Sequence, residues 1–317
     1  MAHSRLLYVL PIIVLARSVS AQGPPVNIQP RMSMLSKEPA AHLRVDSNLV
    51  LVPVMVTDKF DRLVLGLGKE RFQVFDDRVE QQISEFAVED APISVIVVFD
   101  TSGSMGRKLQ ISRMAVGEFL KASNPEDEFA LIEFAERPKI AATFTDNADQ
   151  VQNRLAFLEA RGRTALIDAI CVALDQMKHA RHARKAILVV SDGGDNSSRF
   201  TRGELKRRVR EADVQIYAIG ITDYSLGSAE EADGPALLSD IAGQTGGRYY
   251  AASGLMNLTA IATRIGSALR HQYVLGYSPS PVKADGKYHR IVVKIPQAKG
   301  DLKLKASFRT SYLAPPQ

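Results

Sequence analysis

Cysteine is nearly absent. Cys171 is the one thiol in 317 residues, so no intramolecular disulfide holds this chain together. It lies in "ALIDAICVALDQM" (165–177), where apolar residues recur at helical spacing, and the expectation is a buried, inert thiol rather than a nucleophile. Long apolar runs are missing as well: beyond the N-terminus no stretch approaches the roughly 20 residues of a spanning helix, so the mature chain is expected to have no membrane span. Several enzyme signatures are also lacking. No G-K-[ST] follows the first apolar strand, which argues against a P-loop. No G-x-S-x-G is formed, because Ser104 has Ser102 two places before it instead of glycine. A phosphatase that starts from a strand-terminal aspartate needs a second aspartate two places on, and Ser102 stands there. No histidine lies near these motifs to act as a base, so the expectation is a protein that is not an enzyme. Basic residues exceed acidic ones only modestly, 40 to 35, for a formal charge of +5 and a pI near 9.2. They are scattered apart from "HARHARK" (179–185) and "KRRVR" (206–210), and no nucleic-acid role is expected. His179 and His182 fall in the first of these runs and read as a solvated helix end.

What is present begins with an export signal: His3 and Arg5, an apolar core "LLYVLPIIVLA" (6–16), and small residues in "SVSA" (18–21) suited to cleavage after Ala21. The expected location is periplasmic or secreted. No cysteine follows the cleavage point to carry a lipid. Residues 22–42 hold four prolines without apolar periodicity and read as a flexible leader. The whole chain is 45% hydrophobic and 24% charged, enough for one large domain or two smaller ones. No internal repeat is visible.

Two grammars alternate along it. "LRVDSNLVLVPVMVTDKF" (43–60), "RFQVFDD" (71–77) and "QQISEFAVED" (81–90) read as strands joined by turns. From Ile93, the apolar strands "ISVIVVFD" (93–100), "EFALIEF" (128–134), "KAILVVSD" (185–192) and "VQIYAIGI" (214–221) alternate with helical segments. In one, Ile111, Met114, Ala115 and Phe119 mark the apolar face; in another, Leu166, Ile170, Leu174 and Met177 do. Further helices are expected at 203–213, 236–246 and 257–272, with a late strand in "GGRYYAAS" (246–253). This predicts an α/β fold with a doubly wound, mainly parallel sheet over 91–272. Strands return in "YVLGYSP" (273–279), "KYHRIVVKIP" (287–296) and "LKLKASFRTSYL" (302–313). Neither flank suffices for a two-layer core, so residues 43–90 and 273–313 are expected to build one small, immunoglobulin-like β-sandwich with the α/β domain inserted. The alternative is two small sheets packed separately on it.

The sharpest feature is "VVFDTSGSMG" (97–106): a buried strand ends on Asp100 and is followed by Ser102 and Ser104. In open parallel sheets ligands bind outside the carboxyl ends of strands. A carboxylate with two hydroxyls is a hard-oxygen set suited to Mg²⁺ or Mn²⁺, although the same residues also suit a helix N-cap. "RGRTAL" (161–166) brings Thr164 before a helix, and "VVSDGGDN" (189–196) ends another strand on Asp192. Asp195 and Asn196 read first as turn residues.

Over about residues 91–270 these motifs resemble the von Willebrand factor type A domain and its metal-ion-dependent adhesion site. The resemblance implies a Rossmann-like fold. It makes Ser102, Ser104 and Thr164 direct ligands of a divalent cation, Mg²⁺ with Mn²⁺ or Ca²⁺ as substitutes, with Asp100 and Asp192 reaching it directly or through water. It further implies a protein partner whose Asp or Glu completes the shell, hence a binding or adhesion role. The flanks resemble a group of exported bacterial proteins, common among acidobacteria, with "NLVLVPVMVTD"-like and "YVLGYSP"-like segments around this domain. The competing expectation is a structural or assembly component of the cell envelope that uses its sandwich surface, the metal only stabilising loops.

Overall fold

The computed structural model describes residues 49–89, 91–221, 229–252, 255–297 and 303–316. The expected signal segment at 1–21 and leader at 22–42 lie outside the described residues. No helix among the described residues is long and apolar enough to cross a membrane.

The described residues open with four strands, β1 (Val50–Thr57), β2 (Gln73–Asp76), β3 (Val79–Gln81) and β4 (Glu85–Glu89). The segment 81–90, read as one strand, is the end of one and the whole of another. Ser84 breaks it, its N–H donating to Gly276 O at 2.8 Å.

Next comes β5 (Ile93–Asp100), all eight residues of which are buried. It is followed by α1 (Leu109–Lys121), β6 (Glu128–Phe134), β7 (Pro138–Thr145), α2 (Ala148–Ala156), α3 (Leu166–Gln176) and β8 (Arg184–Ser191). The series ends with α4 (Arg202–Glu211), β9 (Gln215–Ile221), α5 (Ala229–Gln244), β10 (Tyr249–Ala252) and α6 (Leu255–Arg270). The strands form one six-stranded sheet in the order β10-β9-β8-β5-β6-β7, parallel except for β7 at the edge. Because successive side chains of a strand point to opposite faces, β5 feeds two cores. Val95, Val97 and Phe99 meet α1, α2 and α6; Ile96 and Val98 meet α3, α4 and α5. Each such fully buried side chain contributes on the order of 2 kcal/mol.

Two expectations change. Strand β7 and helix α2 carry no strong sequence signal: Pro138 and Lys139 interrupt the apolar pattern, and as an edge strand β7 keeps none of its residues fully buried. The inward face of α1 is also rotated. Leu109, Ser112, Ala115, Val116, Phe119 and Leu120 are buried, Ile111 is partly exposed, and Met114 is exposed. A serine joins this face because its hydroxyl donates back to Lys108 O at 2.9 Å and so spends its polarity within the helix. The face of α3 is as expected, with Leu166, Ile170 and Leu174 buried, and Met177, in the 3₁₀ turn that follows, is buried as well.

The chain then adds β11 (Gln272–Tyr277), β12 (Tyr288–Lys294), β13 (Lys305–Phe308) and β14 (Ser311–Leu313). These pair with the first four strands in two antiparallel sheets, β13-β1-β11-β4 and β14-β12-β2-β3. Val52, Val54, Leu275 and Tyr277 of one sheet pack against Val74, Ile291, Val293 and Tyr312 of the other. The segment 302–313, read as one strand, divides at Arg309 and Thr310 so that its halves join different sheets. The break is held by Thr310 N–H, which donates to Gln244 O at the end of α5 at 3.0 Å. Met55, on the outer side of β1, is buried in the α/β core and joins the two layer systems. Asp61 does so from a loop, pairing with Arg248 and, at 3.0 Å, with Arg264.

Candidate metal centre

Strand order decides where the site falls. From β5 the chain moves first to β6 on one side and later to β8 on the other, so the switch point of this sheet lies between the carboxyl ends of β5 and β8. Crevices of this kind receive ligands. Asp100 is the last residue of β5, Ser191 is the last of β8 beside it, and Asp192 follows directly.

Three loops meet there. The first leaves Asp100 and turns through a single 3₁₀ turn, Gly103–Met105, whose Met105 is buried beneath it. Thr101 pins it to β6, its N–H and hydroxyl both donating to Phe134 O, at 2.8 and 3.0 Å. The second loop, carrying Thr164, is stitched to the first by Gly103 N–H on Gly162 O at 3.0 Å and Arg161 N–H on Thr101 O at 2.8 Å. The third follows Asp192. It is stitched to the second by Thr164 N–H on Asn196 Oδ1 at 3.0 Å, and by Asn196 and Ser197 N–H on Thr164 O at 2.9 and 3.0 Å. Gly193 opens this third loop at a φ of 90°, where a Cβ would also stand 3.0 Å from Gly234 Cα in α5. Only glycine fits both demands.

Asp100, Ser102, Ser104, Thr164 and Asp192 thus stand on loops joined by direct hydrogen bonds. Asp100 is fully buried: Oδ1 accepts from Ser102 N–H at 2.8 Å and Oδ2 from the Ser191 hydroxyl at 2.5 Å. The hydroxyls of Ser102 and Ser104 are 3.1 Å apart, with Ser102 buried and Ser104 exposed at the mouth. Asp192 Oδ2 accepts from Lys108 Nζ at 3.0 Å, whereas its Oδ1 is buried without a hydrogen-bond partner. Thr164 is buried. Burial, and then the neighbouring Asp192, push the Asp100 carboxyl up to about 7. Two adjacent buried carboxylates, one oxygen of them unpartnered, surrounded by hydroxyls, are electrostatically unfinished. A hard divalent cation fits this donor set, which is all oxygen and lacks imidazole or thiolate.

Three contributors are not evident from the motif alone. Ser191 orients Asp100 and also accepts from Gly193 N–H at 2.9 Å. Lys108 lies one helical turn beyond the serines, a placement visible only once the 3₁₀ turn is known. Asn196, a turn residue on the simple reading, holds the Thr164 backbone through its side chain. Asp195 likewise accepts from Ile167 N–H at 3.3 Å at the start of α3 and from the Ser198 hydroxyl at 2.6 Å.

A doubly wound α/β domain with an oxygen-donor cluster at its switch point is the class of protein that this fold and site define. Residues 95–194 match the von Willebrand factor type A domain family, and the chain carries a domain of that family. It is 26% identical over 184 residues to an uncharacterized protein of Borreliella burgdorferi, covering 50% of this chain and 54% of that one. It is 32% identical over 132 residues to inter-alpha-trypsin inhibitor heavy chain H4 of Sus scrofa, covering 38% of this chain and 14% of the relative. The chain therefore spans about half of the first relative's length and a small part of the second's. Among solved structures, a von Willebrand factor type A protein from Catenulispora acidiphila superposes with a TM-score of 0.50 at 14% identity, over 85% of this chain and 75% of its own. That likeness concerns the fold alone.

Proposed function

We propose that this is an exported binding protein whose α/β domain captures a protein partner through a divalent cation held by Asp100, Ser102, Ser104, Thr164 and Asp192. The carrying observation is the unpartnered, buried Oδ1 of Asp192 beside the desolvated Asp100, within a cluster of oxygen donors. Mg²⁺ is the expected ion, with Mn²⁺ or Ca²⁺ as substitutes. When bound, the ion supplies an electrophilic vertex at the mouth of the crevice.

The residues explain why an acidic partner suits it. With both aspartates ionised and Lys108 protonated, the donor set carries one net negative charge. Together with a divalent ion it carries one net positive charge, which an Asp or Glu of the partner neutralises. Ser191, Asn196 and the loop-to-loop hydrogen bonds hold the donors in place before binding, which limits the ordering cost of association. The surface beside the site fits a protein. Thr101 and Gly162 also line an open cavity of about 780 Å³ walled by Glu136, Arg137, Ile140 and Phe157, and Phe157 is 83% exposed. An aromatic so exposed next to a charged cleft is a natural anchor at an interface. No residue here has the arrangement of a nucleophile and its base, and the reading is of a binding protein, not an enzyme.

A magnesium-dependent pull-down from an envelope fraction, with wild-type protein, chelator and Asp100→Ala in parallel, tests this. Partners are expected with magnesium alone. Identical partners in all three arms overturn the proposal and favour a sandwich-mediated envelope component.

A further inference from the structure

The second sheet of the sandwich holds another unfinished set of donors. Strand β2 turns into β3 through Asp77 and Arg78, both at positive φ, 45° and 74°. Asp visits this region more readily than most residues, and Asp77 is held there from across the sheet, its Oδ1 accepting from Arg290 N–H of β12 at 2.9 Å. Antiparallel pairing sets Asp76 beside Ile291 of β12 and His289 beside Tyr312 of β14. Asp76 and His289 consequently share the buried face, at 1% and 5% exposure.

One carboxylate oxygen of Asp76, one of Asp77 and a ring nitrogen of His289 lie within 4.8 Å of one another. Asp76 Oδ2 accepts from the hydroxyls of Tyr312 at 2.7 Å and Tyr277 at 3.3 Å, but Asp76 Oδ1 is buried with no hydrogen-bond partner. Asp77 Oδ2 meets His289 Nδ1 at 2.7 Å and Lys283 Nζ at 3.2 Å; His289 Nε2 meets Asp285 Oδ1 at 2.9 Å. A protonated His289 between Asp77 and Asp285 accounts for those two acids. It leaves the Asp76 oxygen unexplained, and an unpaired buried carboxylate oxygen is costly.

We infer that Asp76, Asp77 and His289 form a second metal site, selective for a zinc-type cation. The imidazole separates it from the all-oxygen centre of the α/β domain, because nitrogen with carboxylate oxygen favours Zn²⁺ over Mg²⁺. Asp285 is the partner a metal-bound histidine requires: it keeps the Nε2 proton and orients the ring so that Nδ1 points at the metal. Binding exchanges the Nδ1 proton, released to solvent, for the metal, and supplies Asp76 Oδ1 with its missing partner. Tetrahedral Zn²⁺ ligands stand about 3.3 Å apart, so the three atoms close on the ion through small side-chain movements. Water takes the remaining vertex. The site clips the β2–β3 turn to β12 and therefore acts on the sandwich, independently of partner capture.

The test uses the full chain carrying Asp100→Ala, so that the α/β centre cannot contribute. Zn²⁺ is titrated calorimetrically, and Co²⁺ is followed by its visible d–d absorption. One equivalent of each is expected, with a Zn²⁺-dependent rise in Tm. His289→Gln and Asp76→Asn, each added to Asp100→Ala, are expected to weaken binding by more than ~100-fold with unchanged far-UV circular dichroism. Absence of Zn²⁺ binding in the Asp100→Ala protein overturns the inference. So does undiminished binding after Asp76→Asn, an isosteric change that keeps the acceptor for both tyrosines and serves even where His289→Gln fails to fold.

Discussion

The two ends of the central sheet both bury carboxylates, yet treat them in opposite ways. At the amino end, Asp127 Oδ1 accepts from Ile93 N–H at 3.0 Å and Oδ2 from Asn124 N–H at 2.8 Å, with Arg270 at 3.8 Å. Glu128 beside it accepts from the Ser94 hydroxyl at 2.6 Å and Arg181 N–H at 2.7 Å. Both bonds fall on Glu128 Oε1, and Oε2 stands 3.5 Å from Arg181 Nε, so each of these carboxylates ties a strand or a loop to its neighbour. At the carboxyl end, Asp100 has only neutral donors, Asp192 has a single lysine, and Asp192 Oδ1 has no partner. Burial is equal at the two ends; satisfaction is not. A carboxylate whose bonds are complete holds a fold together, and one whose bonds are incomplete is a candidate for binding a ligand, as proposed above.

The same substitution at each end sharpens this contrast. Asp100→Ala is expected to reduce Mg²⁺ affinity by more than ~100-fold by calorimetry, while the Tm measured in chelator stays level or rises because a desolvated acid beside Asp192 is gone. A substantial loss of Tm in chelator would show that Asp100 is structural. Asp127→Ala is expected to do the reverse, lowering stability by about 2–3 kcal/mol in denaturant unfolding, since Ile93 and Asn124 N–H lose their acceptor, with Mg²⁺ affinity unchanged. Lys108→Met probes the intermediate case. Removing the internal cation that faces Asp192 is expected to tighten Mg²⁺ binding about tenfold and to lower Tm in chelator; weaker binding would mean that the lysine positions Asp192 instead of competing with the ion. The smallest effect is expected between the two ends, at Cys171, whose thiol burial pushes up to about 11. Cys171→Ala should cost about 1 kcal/mol, and a thiol reagent should label the wild-type protein only as it unfolds.

The parallel strands were legible because each is a nearly unbroken apolar run, and a strand covered on both faces has no polar side to confuse the reading. β7 was not, since an edge strand keeps one side in water and Pro138 and Lys139 belong there. The presence of helix α1 is legible but its inward face is not: Met114 looks like a core residue and is exposed, and Ser112 looks like surface and is buried. Sheet membership at 302–313 was also out of reach, because residues 305–308 and 311–313 differ in which neighbour they meet, not in composition. At the site, Asp100, Ser102 and Ser104 announce themselves by spacing, whereas Ser191, Lys108 and Asn196 become visible only when loops distant in the chain are seen to touch.

What the sequence by itself determined is local: which segments are strands, where β5 and β8 stop, and which oxygen donors stand at those stops. Hydrophobic periodicity and a strand-ending aspartate are properties of neighbouring residues, so a linear reading recovers them. The tertiary structure alone decided that β6 and β8 lie on opposite sides of β5, that a lysine faces Asp192, and that Asp76 meets His289 across paired strands. Those outcomes depend on strand order and register, which are fixed by the packing of the whole core.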